Sequence, residues 1–167
     1  YMSQNGLAQS FKPLYPESAG VGIMFQSFSF GLDVTLSLWD GLPNAGGNML
    51  ASGTTQTNGN LWADVYWNSI VNVTAGNTYY IMIEGDSSLP IVMGSVYNPY
   101  PDGMLFSNFE AFPDYDFTFR TFTCNPVIVD ESCENPELEL NIDFPGNCFA
   151  YMFQDGLAQS FMPSHSE

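Results

Sequence analysis

Carboxylates and aromatic rings are the groups with chemistry to offer in this chain. Its 167 residues hold 18 Asp and Glu against 2 Lys and Arg, with one His and three Cys, for a formal charge of −16. Nucleophilic catalysis with an imidazole base has only His165 to draw on, and the counterpart of His165 in an internal repeat, described below, is Tyr15. Cys124, Cys133 and Cys148 lack the closely spaced Cys and His pairs of a zinc site. No Gly-rich phosphate loop with its Lys occurs, nor a dinucleotide fingerprint. Paired carboxylates could serve a glycosidase, but the acids here fall mostly in turn-rich segments. The expectation is a protein without catalytic residues.

Binding chemistry is better supplied. Hard oxygen donors suit calcium, and the acids gather as Asp114 with Asp116, Asp40 beside a Gly-rich loop, and Glu84 with Asp86. The run Leu61–Trp67 alternates, with Leu61, Ala63, Val65 and Trp67 on one side and Trp62, Asp64 and Tyr66 on the other. With the apolar side in the core, Trp62, Asp64 and Tyr66 form an outward stripe. Such a stripe suits stacking on sugar rings, with the acid accepting hydroxyl hydrogen bonds, and equally suits a subunit interface. Trp39 likewise lies on the side opposite Leu36 and Leu38.

The elements that must carry these residues are strands. Leu32–Trp39, Leu61–Trp67, Tyr79–Glu84 and Asp116–Phe122 alternate or are rich in β-branched and aromatic residues. Turn clusters separate them at 40–48, 57–60, 75–77 and 99–103. With 15 Gly and 11 Pro, no sustained helical period survives. Short strands at turn spacing predict an all-β antiparallel sandwich, jelly-roll-like. Aromatics make up 16% of the chain, enough to set it apart from disordered acidic sequences.

The chain also overlaps itself. Residues 1–17 (YMSQNGLAQSFKPLYPE) and 151–167 (YMFQDGLAQSFMPSHSE) agree at 11 of 17 positions, with Gly6–Phe11 repeated unchanged at Gly156–Phe161. The expected organisation is a β-sandwich over 1–123, a Cys-bearing linker over 124–150, and the start of a next repeat over 151–167. Within the linker, Leu138, Leu140, Ile142 and Phe144 mark a connecting strand, free to add to its own sheet or to the following unit. The opening at Tyr1, inside the repeated motif, is expected of a period cut from a longer array, or of a polymer subunit whose ends overlap with those of its neighbours.

The order of motifs resembles a family. Ala8-Gln9-Ser10-Phe11, then Leu36–Gly41 with its Gly/Pro/Asn loop and Leu50–Gly53, then Val73–Ile81 and finally Asp114–Phe117 are similar to the jelly-roll accessory domains of large secreted bacterial proteins. These include pre-peptidase C-terminal and carbohydrate-binding-type modules. The resemblance covers about residues 6–122 and implies a non-catalytic extracellular domain repeated in an adhesin, surface filament or multidomain enzyme. It implies a structural calcium bridging the first and last strands, near Gln9 and Asp116 with Asp114 close by. Secretion would favour disulfides, with Cys124–Cys133, either of these with Cys148, or Cys148 with another copy all open.

Charge narrows the partners. Lys12 and Arg120 are the only bases, too few to neutralise a phosphate backbone or to hold an anionic membrane surface. No apolar run is long enough to span a bilayer, and no signal peptide is visible. The expected partners are neighbouring copies of the chain, or glycans, at the cell surface. Setting aside Asp155 and Glu167, one period carries 16 acids against 2 bases, a charge of −14 that recurs with every unit.

Overall fold

A computed structural model describes residues 6–26, 30–58, 61–85, 92–123 and 137–142. Within them the strands are β1 (Leu7–Phe11), β2 (Glu17–Met24), β3 (Phe30–Trp39), β4 (Met49–Asn58), β5 (Trp62–Asn72), β6 (Tyr79–Gly85), β7 (Gly94–Val96), β8 (Leu105–Ser107), β9 (Glu110–Phe112), β10 (Tyr115–Phe117), β11 (Phe119–Thr123) and β12 (Glu137–Ile142). One 3₁₀ turn, Pro43–Ala45, lies in the loop between β3 and β4. The chain is an all-β antiparallel sandwich, as the alternation predicts.

Two sheets build it. The larger runs β4-β3-β6-β1-β8-β9, the smaller β12-β11-β2-β5, and β10 with β7 forms a separate two-stranded ribbon. Val34, Leu36 and Leu38 of β3 and Ile81 of β6 point inward from the larger sheet, where they meet Val21 and Ile23 of β2 and Phe119 of β11. The two-residue period of each strand puts these residues on one face. Each buried Leu, Ile or Phe contributes about 1.5–3 kcal/mol by leaving water.

The strand expected over Asp116–Phe122 is two strands. The break falls at Thr118, whose N–H donates to the Met93 carbonyl (2.9 Å) and whose carbonyl accepts from Met24 N–H (3.0 Å). The N–H continues the register of the ribbon and the carbonyl that of the smaller sheet, so the chain changes partners at Thr118, β10 pairing with β7 and β11 with β2. β12 lies antiparallel on β11, from Phe119 opposite Ile142 to Thr123 opposite Glu137. The strand expected over Leu138–Phe144 thus pairs, over Glu137–Ile142, with β11 of the smaller sheet. Phe144, the three cysteines, His165 and the repeated segment 151–167 lie outside the described residues.

Candidate functional site

The outward stripe of β5 sits at one edge of the smaller sheet. Ala63, Val65 and Trp67 are buried, and the Trp67 indole N–H donates to Ser18 Oγ at 3.0 Å. Trp62, Asp64 and Tyr66 face out, with Tyr66 exposed and the other two half-buried. The neighbouring strand β2 places Met24 opposite Trp62, Gly22 opposite Asp64 and Gly20 opposite Tyr66. On its far side β11 places Arg120 beside Gly22 and Phe122 beside Gly20.

Two glycines thus form a floor with no side chains. Arg120 crosses it and grips Asp64 with both ends of its fork, Nε to Oδ1 at 2.7 Å and Nη2 to Oδ2. Its guanidinium carbon lies 4.2 Å from the centre of the Trp62 ring, a cation–π contact. Alongside, the Tyr66 and Phe122 rings close over Gly20 with centroids 4.8 Å apart. A Cβ on Gly22 would collide with Asp64 Oδ1 and stand 3.0 Å from Arg120 Cγ, and one on Gly20 would collide with the Val65 carbonyl oxygen. Burial, with the charge of Asp64 as the next contribution, raises the Tyr66 phenol above its ordinary value, and Arg120 pulls the other way. The stripe therefore works as a cross-strand clasp whose polar groups engage each other.

Arg120→Met should cost about 2 kcal/mol, because it leaves the half-buried Asp64 carboxylate without its partner. Urea unfolding should show Asp64→Asn/Arg120→Met recovering part of that loss. Since both side chains are about three-quarters covered, salt should weaken the pair less than it weakens the exposed Lys12–Asp102 pair at 2.8 Å.

The second cluster joins the first strand to the ribbon. The Gln9 amide N–H₂ donates to Asp116 Oδ1 at 2.7 Å and to the Ser10 carbonyl at 3.0 Å. Gln9 Oε1 accepts from Phe117 N–H at 2.7 Å. Because Phe117 N–H can only donate, it fixes which end of the amide is oxygen. Asp116 Oδ2 accepts from Tyr100 N–H at 3.0 Å. Both Gln9 and Asp116 are wholly buried. The resemblance sets Gln9 and Asp116 near one another as calcium ligands, and here they bond to each other directly; Asp114 stands apart, its side chain exposed and its carbonyl accepting from Asn98 N–H at 3.0 Å. A calcium ion at Gln9 and Asp116 would have to compete with these donors for the same oxygens.

Burial raises the Asp116 carboxyl above its ordinary value of 3.8, and the bonds from Gln9 and Tyr100 N–H offset part of this. The native state then holds a proton at pH values where the unfolded chain has lost it. By linkage, this contribution to stability is full below the ordinary value and is lost as pH rises through the raised one. Melting temperature should therefore climb as pH falls from 7 toward roughly 4, and Asp116→Asn should flatten that slope. A slope unchanged in the variant would assign the trend to other carboxylates.

The other acids that the sequence groups are Asp40 and Glu84 with Asp86. Asp40 closes its Gly-rich loop by accepting from Asn48 N–H at 2.6 Å and from the Asn48 amide at 3.0 Å, bonds that hold its carboxyl below the ordinary range. Glu84 is exposed, and Asp86 lies outside the described residues. Leu138, Leu140 and Ile142 fall in β12. Among the described residues no three His, Cys, Asp or Glu side chains gather closely enough to hold a metal ion, and no helix is long and apolar enough to cross a membrane.

Sequence reasoning missed Arg120, Phe122 and Tyr100 as partners. The one available signal was the glycine pair of Ser18-Ala19-Gly20-Val21-Gly22, which spares one face of a strand its side chains. Comparison with protein-family models, curated proteins and solved structures finds no match for this chain.

Proposed function

We propose that the chain is a non-catalytic structural repeat unit of an extracellular bacterial surface filament or giant adhesin, joined to further copies of itself. One observation carries this reading. Gly6–Phe11 recurs unchanged at Gly156–Phe161, and the first copy supplies β1, hydrogen-bonded to β6 on one side and β8 on the other. A strand slot between two neighbours admits one strand. The first copy fills that slot here, and we read the second copy as the opening strand of another domain of the same kind. The acidic surface, −14 in every period, supports an extended and well-solvated array.

The carbohydrate-binding alternative has less behind it. A sugar stacking on Trp62 and bonding Asp64 would first have to displace Arg120 from both. Imaging native material by negative stain, with an intact mass beside it, tests the proposal. Regularly spaced beads and a mass of several periods are expected. Isolated particles with the mass of a single period would overturn it.

A further inference from the structure

The slot that holds β1 tests its occupant at every position. The strand pairs with β6 from Leu7 opposite Ile83 to Phe11 opposite Tyr79, and with β8 at Ala8 and Gln9. Gly6 enters with φ +68°, and a Cβ there would stand 2.7 Å from the Phe109 ring. Leu7 and Phe11 join the inner core, while Ala8 packs with Met82 and Phe106 in a second apolar cluster. Gln9 bonds Asp116 and Phe117 N–H as described above. Ser10 N–H donates to the Met104 carbonyl at 2.9 Å, and Ser10 Oγ accepts from Met104 N–H at 2.9 Å. For an added strand, main-chain bonds along both edges supply affinity and such side-chain seats supply specificity.

The differences between the two copies of the motif sort by burial in this slot. Over residues 6–17 the buried positions are Leu7–Phe11 and Pro13, and each returns unchanged, as Leu157–Phe161 and Pro163. The exposed positions are Leu14, Tyr15 and Pro16, and each is altered, to Ser164, His165 and Ser166. Gly6, where a Cβ would collide, returns as Gly156. Lys12 becomes Met162, which gives up the exposed ion pair with Asp102, a contact that contributes little. The second copy thus keeps what this slot touches and varies what it does not.

We infer that Gly156–Pro163 of one copy takes the place of β1 in a second copy, so that copies join by strand exchange. This deepens the repeat-unit reading and rests on it. Exchange of an identical element between protomers is a low-cost route to association. In the exchanged slot Leu157 faces Ile83, and Gln159 meets Asp116 and Phe117 N–H, as Leu7 and Gln9 do now. A copy's own β1 is tethered to β2 through residues 12–16, and such a tether holds it at an effective concentration on the order of millimolar. The segment of another copy therefore competes when copies are crowded to that level, as in an array, or when β1 is impaired.

Native mass spectrometry on mixtures of full-length chains tests this. The acceptor is Ala8→Glu/Ala158→Glu, in which a carboxylate set against Met82 and Phe106 spoils both of its own strands. The donor is the unaltered chain, whose β1 fills its own slot. A one-to-one complex is expected, weakened at least about tenfold when the donor carries Ala158→Glu, a change that should leave the donor's own melting temperature as it was. A folded acceptor that takes no donor, or one indifferent to Ala158→Glu in the donor, overturns the inference. An acceptor that does not fold passes the decision to a second arm, refolding of the unaltered chain across a concentration series reaching roughly millimolar. Oligomers that disappear with Ala158→Glu are expected there, and monomer throughout overturns the inference. Beaded arrays of several-period mass without any exchange would sink it and spare the repeat reading. Exchange by a chain whose native material has the mass of a single period would do the reverse.

Discussion

Gly22→Val should destabilise the domain by about 3 kcal/mol, a large share of the 5–15 kcal/mol available to a domain of this size. Strand propensity alone points the other way, since Val is favoured in strands and Gly is not. The sign of the change therefore separates the two effects. The added carbons would enter the space where Arg120 crosses β2 to reach Asp64, so the substitution strains the strand and breaks the ion pair together. Gly22→Ala should show a smaller loss in the same direction. With Asp64→Ala and Arg120→Ala already in place, the penalty of Gly22→Val should shrink in chemical denaturation. A stabilised Gly22→Val would show that the crossing does not constrain this position.

Gln9→Leu should cost a comparable amount, about 3 kcal/mol at neutral pH. Leu matches the bulk of Gln but offers neither donor nor acceptor. It would strand Phe117 N–H and one oxygen of Asp116 in the interior, and each buried group left unpaired costs about 1–3 kcal/mol. The stranded carboxylate oxygen weighs most when ionised, so the loss should be greater at pH 7 than at roughly pH 4. Parallel thermal melts at the two values check this, and a loss independent of pH would mean that the amide acts through packing alone.

The sequence made the faces legible and the neighbours illegible. Alternation separated Ala63, Val65 and Trp67 from Trp62, Asp64 and Tyr66 without ambiguity, because the period belongs to one strand. Arg120 is 56 residues from Asp64, and nothing local says that β11 and β5 flank the same strand. That strand, β2, was itself hard to see, since its two outward glycines erase the polar half of the alternation. The pairing of Gln9 with Asp116 was anticipated through resemblance rather than through spacing. Its form, an amide bonded to a carboxylate with a backbone N–H at each end, required the structure.

The bonds that tie β1 into the fold reach far along the chain. Gln9 meets Asp116 and Phe117 at separations of 107 and 108 residues, and Ser10 meets Met104 at 94. During synthesis at about 5–20 residues per second, β1 emerges first and waits roughly 5–20 s for the partners that complete its slot. Loop closure over such separations places the domain among slow folders, on the order of milliseconds to seconds once the chain is complete. Throughout the wait Leu7 and Phe11, buried in the finished core, stand open to solvent. The earliest strand made is thus among the last to be secured, and the nascent domain is most vulnerable at its own beginning.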